Sequence, residues 1–264
     1  MVGTFEQATA VEPVEPGRWA ASFDPVWTIG DAVHGGCAQC AMARAAVAES
    51  GHEHPVAISA HFLAPTRPGP AEVTVEILRS GRTVSTLRTV LRQDGEDKIV
   101  GHVAAGTLRH HEPDYQAEAP VILPPEECVP RPAVMADGSP VRWLDPIEVR
   151  LDPRQVGGPN RALSGIPEVR GWVRARDDSP PDAPFLTFCV DAMPPTVLEI
   201  GGGGWSPTVQ LSSYVRALPA PGWLAVVSRA AVVGDGWFDE EAEVWDSSHR
   251  LVAQGRQIGR FRFA

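Results

Sequence analysis

Hydrophobic and polar positions along the chain follow two periods, and the change from one to the other marks the elements. From Gly36 to Glu49 the sequence is rich in alanine, carries no proline or further glycine, and is stopped by Ser50-Gly51, which predicts a helix. The period then falls to two. Val56–Ala64, Glu72–Arg79, Thr83–Arg92 and Ile99–Leu108 read as strands, with Val73, Val75 and Ile77 on one face of the second. Pro65–Pro70, Ser80-Gly81-Arg82 and Gln93–Asp97 supply the turns. The same succession returns near the end of the chain. A short helix at Ala192–Ile200 precedes strands at Thr208–Ala217, Trp223–Val233, Phe238–Trp245 and Leu251–Phe263. The last two hairpins turn at Gly234-Asp-Gly236 and Asp246–His249.

The two blocks superpose by counting. An offset of 152 takes Phe62-Leu63 to Tyr214-Val215 and Ile99-Val100 to Leu251-Val252, and a slip of one at the hairpin tips brings Gly81 beside Gly234. Four alternating strands and one helix cannot bury their apolar faces separately, so each block reads as one helix-plus-sheet unit of an α+β protein. Joining the two sheets would also shield strand edges. Between the blocks the texture changes: 16 of the 26 prolines fall between Pro113 and Pro195. Proline removes a backbone donor and disfavours long regular elements. Short strands are expected there at Ile147–Leu151 and Val169–Arg174. The division expected is therefore 1–113, an irregular proline-rich connection over 114–145, and 146–264.

Composition narrows the function. The formal net charge is -10, the basic residues are 22 arginines and Lys98, and no basic run occurs, which excludes a nucleic-acid groove as the main surface. The first residues lack the basic and apolar regions of a signal peptide. No apolar run is long enough to span a membrane, so a soluble, cytoplasmic protein is expected. Cys37 and Cys40 form a C-x-x-C pair, but they sit inside the alanine-rich helix with no second pair to complete a metal site. Buried, inert thiols are expected, with redox or metal chemistry as the alternatives. His52, His54, His110 and His111 have no metal-ligand spacing. No G-x-S-x-G elbow is present.

Candidate chemistry comes from comparing the two repeats. Asp191 falls opposite Gln39, Thr208 opposite Val56 and Gln257 opposite Ala105, so the second copy carries a carboxylate, a hydroxyl and an amide. This asymmetry points to one chemical centre. Asp191 is expected at a loop-to-helix junction, where helix capping is the alternative to catalysis. Thr208 opens a strand after a proline, a common place for a structural hydroxyl. Gln257 shares the face of Leu251 and Ala253, and an inward amide requires partners. Asp24, Asp31 and His34, ahead of the first helix, form a weaker second candidate, with turn and cap roles as the simpler reading. Glu240-Glu241 reads as a solvated hairpin edge.

Several stretches resemble bacterial acyl-CoA thioesterase II and its relatives, which have a double hotdog fold. Val33-His-Gly-Gly36 with the helix behind it, Ser59-Ala-His-Phe-Leu-Ala-Pro65 and Leu78-Arg-Ser-Gly-Arg-Thr83 are similar to segments of that family's first half. Val190-Asp191, Thr208-Val-Gln-Leu-Ser-Ser-Tyr-Val-Arg216 and Leu251-Val-Ala-Gln-Gly-Arg-Gln257 are similar to the stretches that bear its Asp, Thr and Gln. The resemblance implies two hotdog units and hydrolysis of an acyl-CoA thioester to free acid and CoA. A water is oriented by Asp191, Thr208 and Gln257, with no covalent intermediate, no metal and no cofactor beyond the CoA of the substrate. Backbone donors at Gly35 and Gly36 are expected to meet the oxyanion, and Trp205, after Gly201–Gly204, to shape the acyl pocket. Association into a dimer or larger homo-oligomer is expected. Two other readings remain: an acyl-CoA or lipid-binding protein of the same fold without turnover, and a hydratase, which needs a paired Asp and His that the second half lacks.

Overall fold

The computed structural model describes residues 4–135, 138–154, 163–203 and 206–263. A one-turn helix α1 (Phe5–Ala8) leads into β1 (Val11–Glu15) and β2 (Arg18–Phe23). Then come α2 (Gly35–Ser50), β3 (His54–Phe62), β4 (Gly69–Arg79), β5 (Val84–Gln93) and β6 (Glu96–Gly106). The second half contains β7 (Ile147–Leu151), β8 (Glu168–Ala175), α3 (Ala183–Cys189), β9 (Thr208–Val215), β10 (Leu224–Arg229), β11 (Trp237–Trp245) and β12 (Leu251–Arg260). All twelve strands join one sheet in the order β1-β2-β4-β5-β6-β3-β9-β12-β11-β10-β8-β7, with Val129–Pro130 added at the β7 edge.

Read outward from the β3–β9 seam, the two halves have the same order. This is a double hotdog: two antiparallel sheets, each with its helix, fused edge to edge in one chain. At the seam Ser212 pairs with Ser59, and their hydroxyls are 2.9 Å apart. Among the described residues each unit contributes six of these strands, two more than the four of its alternating block. In the first unit the extra pair is β1 and β2. Pro13 interrupts β1, and its residues from Glu12 on are exposed, so no buried alternation announced it. In the second unit the extra pair is β7 and β8, the short strands expected in the proline-rich region.

Helix α2 is the central element. Gly36 to Ala43 are all buried, as are Ala45 and Ala46. Small side chains let the sheet and α3 approach the backbone on nearly every side. Gly51, at φ 71°, ends the helix in the left-handed conformation that glycine adopts without strain. Cys37 and Cys40 are free and buried, and Cys40 Sγ donates to Pro184 O at 3.0 Å, tying α2 to α3. Burial pushes the Cys37 thiol up to about 12 and Cys40 well above its ordinary value, which fits inert thiols.

The second helix lies upstream of its expected place. It runs over Ala183–Cys189, while the segment expected to be helical holds only a 3-10 turn, Thr196–Ile200. Asp182 caps α3 by accepting the Phe185 N–H at 2.7 Å, with Pro184 in the first turn. The aromatic and β-branched run Phe185–Val190 reads as strand by propensity, and Pro194-Pro195 bars a regular helix further on. Asp191 therefore follows a helix instead of preceding one.

Candidate active site

A cavity of about 290 Å³ opens between the two units, and Asp191, Thr208 and Gln257 all line it, together with Gly35, His34 and Arg131. Its remaining wall is mainly apolar, including Ile29, Phe62, Ile99, Met193 and Phe238.

Asp191 sits on the turn that closes α3, its N–H donating to Phe188 O at 3.0 Å. Its side chain reaches across to the other unit, where Oδ2 accepts the Gly36 N–H at 2.8 Å. Thus it caps a helix after all, but α2 of the first unit, at the positive end of that dipole. The approach demands glycine. A Cβ on Gly35 would lie 3.2 Å from Asp191 Oδ2, and one on Gly36 would lie 3.2 Å from Asp191 Cβ. The expectation that Gly36 offers its N–H to an oxyanion is corrected here, because that donor is already engaged by Asp191. Trp205 and Gly204 lie outside the described residues. Gly202 and Gly203 pair with Phe263 and Arg262 in a small ribbon.

His34 joins the site through the same contact. Its ring lies against Trp143 and Phe188, with centroids 4.9 and 4.8 Å away. Nε2 is 3.1 Å from the Asp191 carbonyl oxygen, which only accepts, so Nε2 carries the proton. Nδ1 is then a bare lone pair 3.7 Å from Asp191 Oδ2 and has no hydrogen-bond partner. Burial, and then Arg131, lower the imidazole to about 3, so it is neutral. Asp24 caps a 3-10 turn through the Val26 N–H at 2.8 Å, and Asp31 is exposed, so the weaker candidate trio is not one site. His52 Nε2 contacts Gly81 O and Ser85 Oγ, and His54 Nδ1 accepts the Leu108 N–H.

Thr208 opens β9 and Gln257 lies on β12, beside it. Thr208 Oγ1 is 2.7 Å from Gln257 Oε1. Gln257 faces inward as its alternation predicts, at 8% exposure. Its Nε2 donates to Glu240 Oε1 at 3.1 Å. Glu240 is not the solvated edge expected: it is 3% exposed, and burial raises its carboxyl above the ordinary range. The signal was available, since Phe238, Ala242 and Val244 share its face of β11 and all are buried. Arg131 gave no signal, lying in the irregular connection. Its Nη1 donates to Ala192 O at 2.6 Å and its guanidinium stands 4.9 Å from the centre of the Trp143 ring. Burial lowers it to about 10, against the pull of Asp191 and Glu240, and it stays charged at neutral pH.

The result is a buried cluster of two carboxyls, one guanidinium and one neutral imidazole. Burial pushes Asp191 up to about 7; Glu240 adds to the rise, while the Gly36 N–H and Arg131 oppose it. A carboxyl at that value can both take and return a proton near neutrality.

Residues 23–109 match the acyl-CoA thioesterase N-terminal domain and residues 125–261 the acyl-CoA thioesterase C-terminal domain. An uncharacterized protein of Mycobacterium tuberculosis is 34% identical, with 98% of each chain covered. A crystal structure from Thermobifida fusca, provisionally assigned as a thioesterase II, superposes with TM-score 0.89 at 38% identity over 99% of both chains. An acyl-CoA thioesterase II from Mycobacterium marinum shares the fold at TM-score 0.74 and 19% identity, covering 98% of this chain and 97% of its own. Among the described residues no helix is long and apolar enough to cross a membrane.

Proposed function

The chain belongs to the acyl-CoA thioesterase family, and from that premise we propose that it hydrolyses an acyl-CoA thioester to a free acid and CoA. The observation that carries this reading is a carboxyl held near neutrality, Asp191, on the wall of an otherwise apolar cavity that Thr208 and Gln257 also line. Asp191 in its ionised form takes a proton from a water as the water oxygen bonds to the thioester carbonyl carbon. The carbonyl electron pair moves to oxygen. Collapse of the tetrahedral intermediate breaks the carbon–sulfur bond, and the departing CoA thiolate recovers the proton from Asp191. Thr208 holds the water, and Gln257 fixes the Thr208 hydroxyl through its Oε1. No side chain forms a covalent bond.

With the Gly36 N–H engaged, the charge on the oxyanion is met by Arg131 and by the backbone at Gly35. The volume of about 290 Å³ is at the lower end for small-molecule sites, roughly 300–1,000 Å³, which favours short to medium acyl groups.

Release of free CoA thiol, measured over a series of acyl lengths, tests the proposal. Asp191→Asn is expected to lower kcat on the order of 10²-fold or more while thermal unfolding stays cooperative. Full turnover by that variant refutes the role of Asp191. Ligand-dependent thermal protection without CoA release by any acyl-CoA supports the binding protein instead.

A further inference from the structure

Glu240 and Gln257 are directly opposed on β11 and β12, and both side chains turn into the second unit. Glu240 Oε2 accepts the Thr196 N–H at 2.9 Å, and Oε1 accepts Gln257 Nε2 at 3.1 Å. Both oxygens accept, and in its ionised form the carboxylate has no hydrogen to give, so whatever faces it must donate. The Gln257 amide is therefore held with nitrogen toward Glu240 and oxygen toward Thr208. An amide oxygen only accepts, and Thr208 Oγ1 lies 2.7 Å from it, so the hydroxyl hydrogen is engaged there. What remains on Thr208 for the cavity is oxygen lone pairs.

We propose that Glu240 is a positioning residue whose carboxylate sets the direction of donation from Thr208 to Gln257 to Glu240, so that Thr208 acts toward the cavity only as an acceptor. The catalytic consequence rests on the hydrolysis proposed above. A water that places one hydrogen on Thr208 Oγ1 and the other on Asp191 has both hydrogens turned to the wall. An oxygen lone pair is then left for the carbonyl carbon. In the opposite direction Thr208 would donate into that lone pair and blunt the nucleophile. Glu240 touches neither water nor thioester; it acts through Gln257.

The shape of the site allows the direction to be reversed without removing atoms. In Glu240→Gln the new amide oxygen still accepts the Thr196 N–H, while its nitrogen faces Gln257. The Gln257 amide then turns its oxygen toward position 240 and its nitrogen toward Thr208, which frees the hydroxyl hydrogen for the cavity. In the double variant Glu240→Gln, Gln257→Glu, the carboxylate at 257 again accepts from Thr208, and the original behaviour of the hydroxyl returns.

Kinetics of CoA release are compared on the alkaline plateau, above about pH 8.5, where Asp191 is ionised in every variant. Glu240→Gln is expected to lower kcat on the order of 10²-fold, with KM within about twofold and thermal unfolding still cooperative. The double variant is expected to regain at least about tenfold of that loss. Side-chain amide NMR of glutamine-labelled protein, with Gln257 assigned by its loss in Gln257→Glu, reads the contact directly. One Nε2 proton should be shifted downfield and slow to exchange in the natural protein, and changed in Glu240→Gln. An unchanged kcat in Glu240→Gln, a loss that the double variant does not recover, or no such amide signature overturns the proposal and leaves the hydrolysis reading intact. The signature together with no CoA release by the natural protein overturns hydrolysis and leaves the direction of donation standing.

Discussion

Asp191 combines a reactive role with a cost to the fold, and the two can be separated by pH. Its side chain keeps 14% of its accessible surface, and its carboxyl is raised from 3.8 to about 7, chiefly by burial. At about 1.4 kcal/mol per pH unit, that displacement corresponds to roughly 4 kcal/mol of penalty on the ionised native form. Below about pH 4 the group is protonated in both folded and unfolded chains and costs nothing. As pH rises from about 4 to 7 the unfolded chain ionises while the native one holds its proton, so the unfolded state gains and stability falls. Above about 7 both forms are ionised, and the penalty is complete and constant.

Asp191→Asn removes the charge and keeps an acceptor for the Gly36 N–H, at a cost of about 1 kcal/mol for the weaker neutral bond. The variant should therefore be the more stable protein above pH 7, by about 3 kcal/mol, or on the order of 5–10 °C in unfolding temperature for a chain of this size. The difference should shrink toward zero, or reverse slightly, near pH 4. Thermal unfolding of both proteins, followed by circular dichroism at intervals from pH 4 to 9, checks this. A difference that does not change with pH, or a variant less stable than the natural protein at every pH, refutes the buried-carboxyl reasoning. The same titration predicts that kcat/KM rises with pH through about 7 and then levels off.

Two further outcomes follow from other contacts. Gly36→Ala places a Cβ 3.2 Å from Asp191 Cβ and 3.2 Å from His34 Cε1, so both must give way; kcat/KM should fall about tenfold or more and the unfolding temperature by a few degrees, whereas unimpaired turnover refutes the tight seat. All four thiols, Cys37, Cys40, Cys128 and Cys189, are buried and free; a disulfide reagent should label them slowly in the native protein and completely in denaturant, and rapid native labelling of Cys37 or Cys40 would restore the redox reading of the C-x-x-C pair.

Much of the architecture was legible along the chain. Period-two alternation located β3 to β6, β9, β11 and β12 to within a few residues because each is partly buried and bounded by turn residues, while β10, buried along nearly its whole length, was located by its flanking turns. The repeat was visible for the same reason. Alternation also placed Gln257 inward, and applied with equal care to β11 it would have placed Glu240 inward beside Phe238 and Ala242. What alternation could not find was β1, an exposed edge strand with a proline, and α3, whose aromatic residues favour strand locally and are helical only because α2 and the sheet pack around them.

The chemistry depends on the third dimension far more than the strands do. Composition and order determined an α+β repeat, an alanine-rich central helix and three polar side chains in the second copy. Only the fusion of the sheets at β3 and β9 brings Asp191 to Gly36 and His34, more than 150 residues away in sequence. Only the folding of the proline-rich connection delivers Arg131 to the same cluster. The physical reason is that a side chain's type is local, whereas its ionisation and its hydrogen-bond partners belong to whatever surrounds it. Burial, a helix terminus from the other unit and neighbouring charges turn an ordinary aspartate into one poised near neutrality, and none of these is written at position 191.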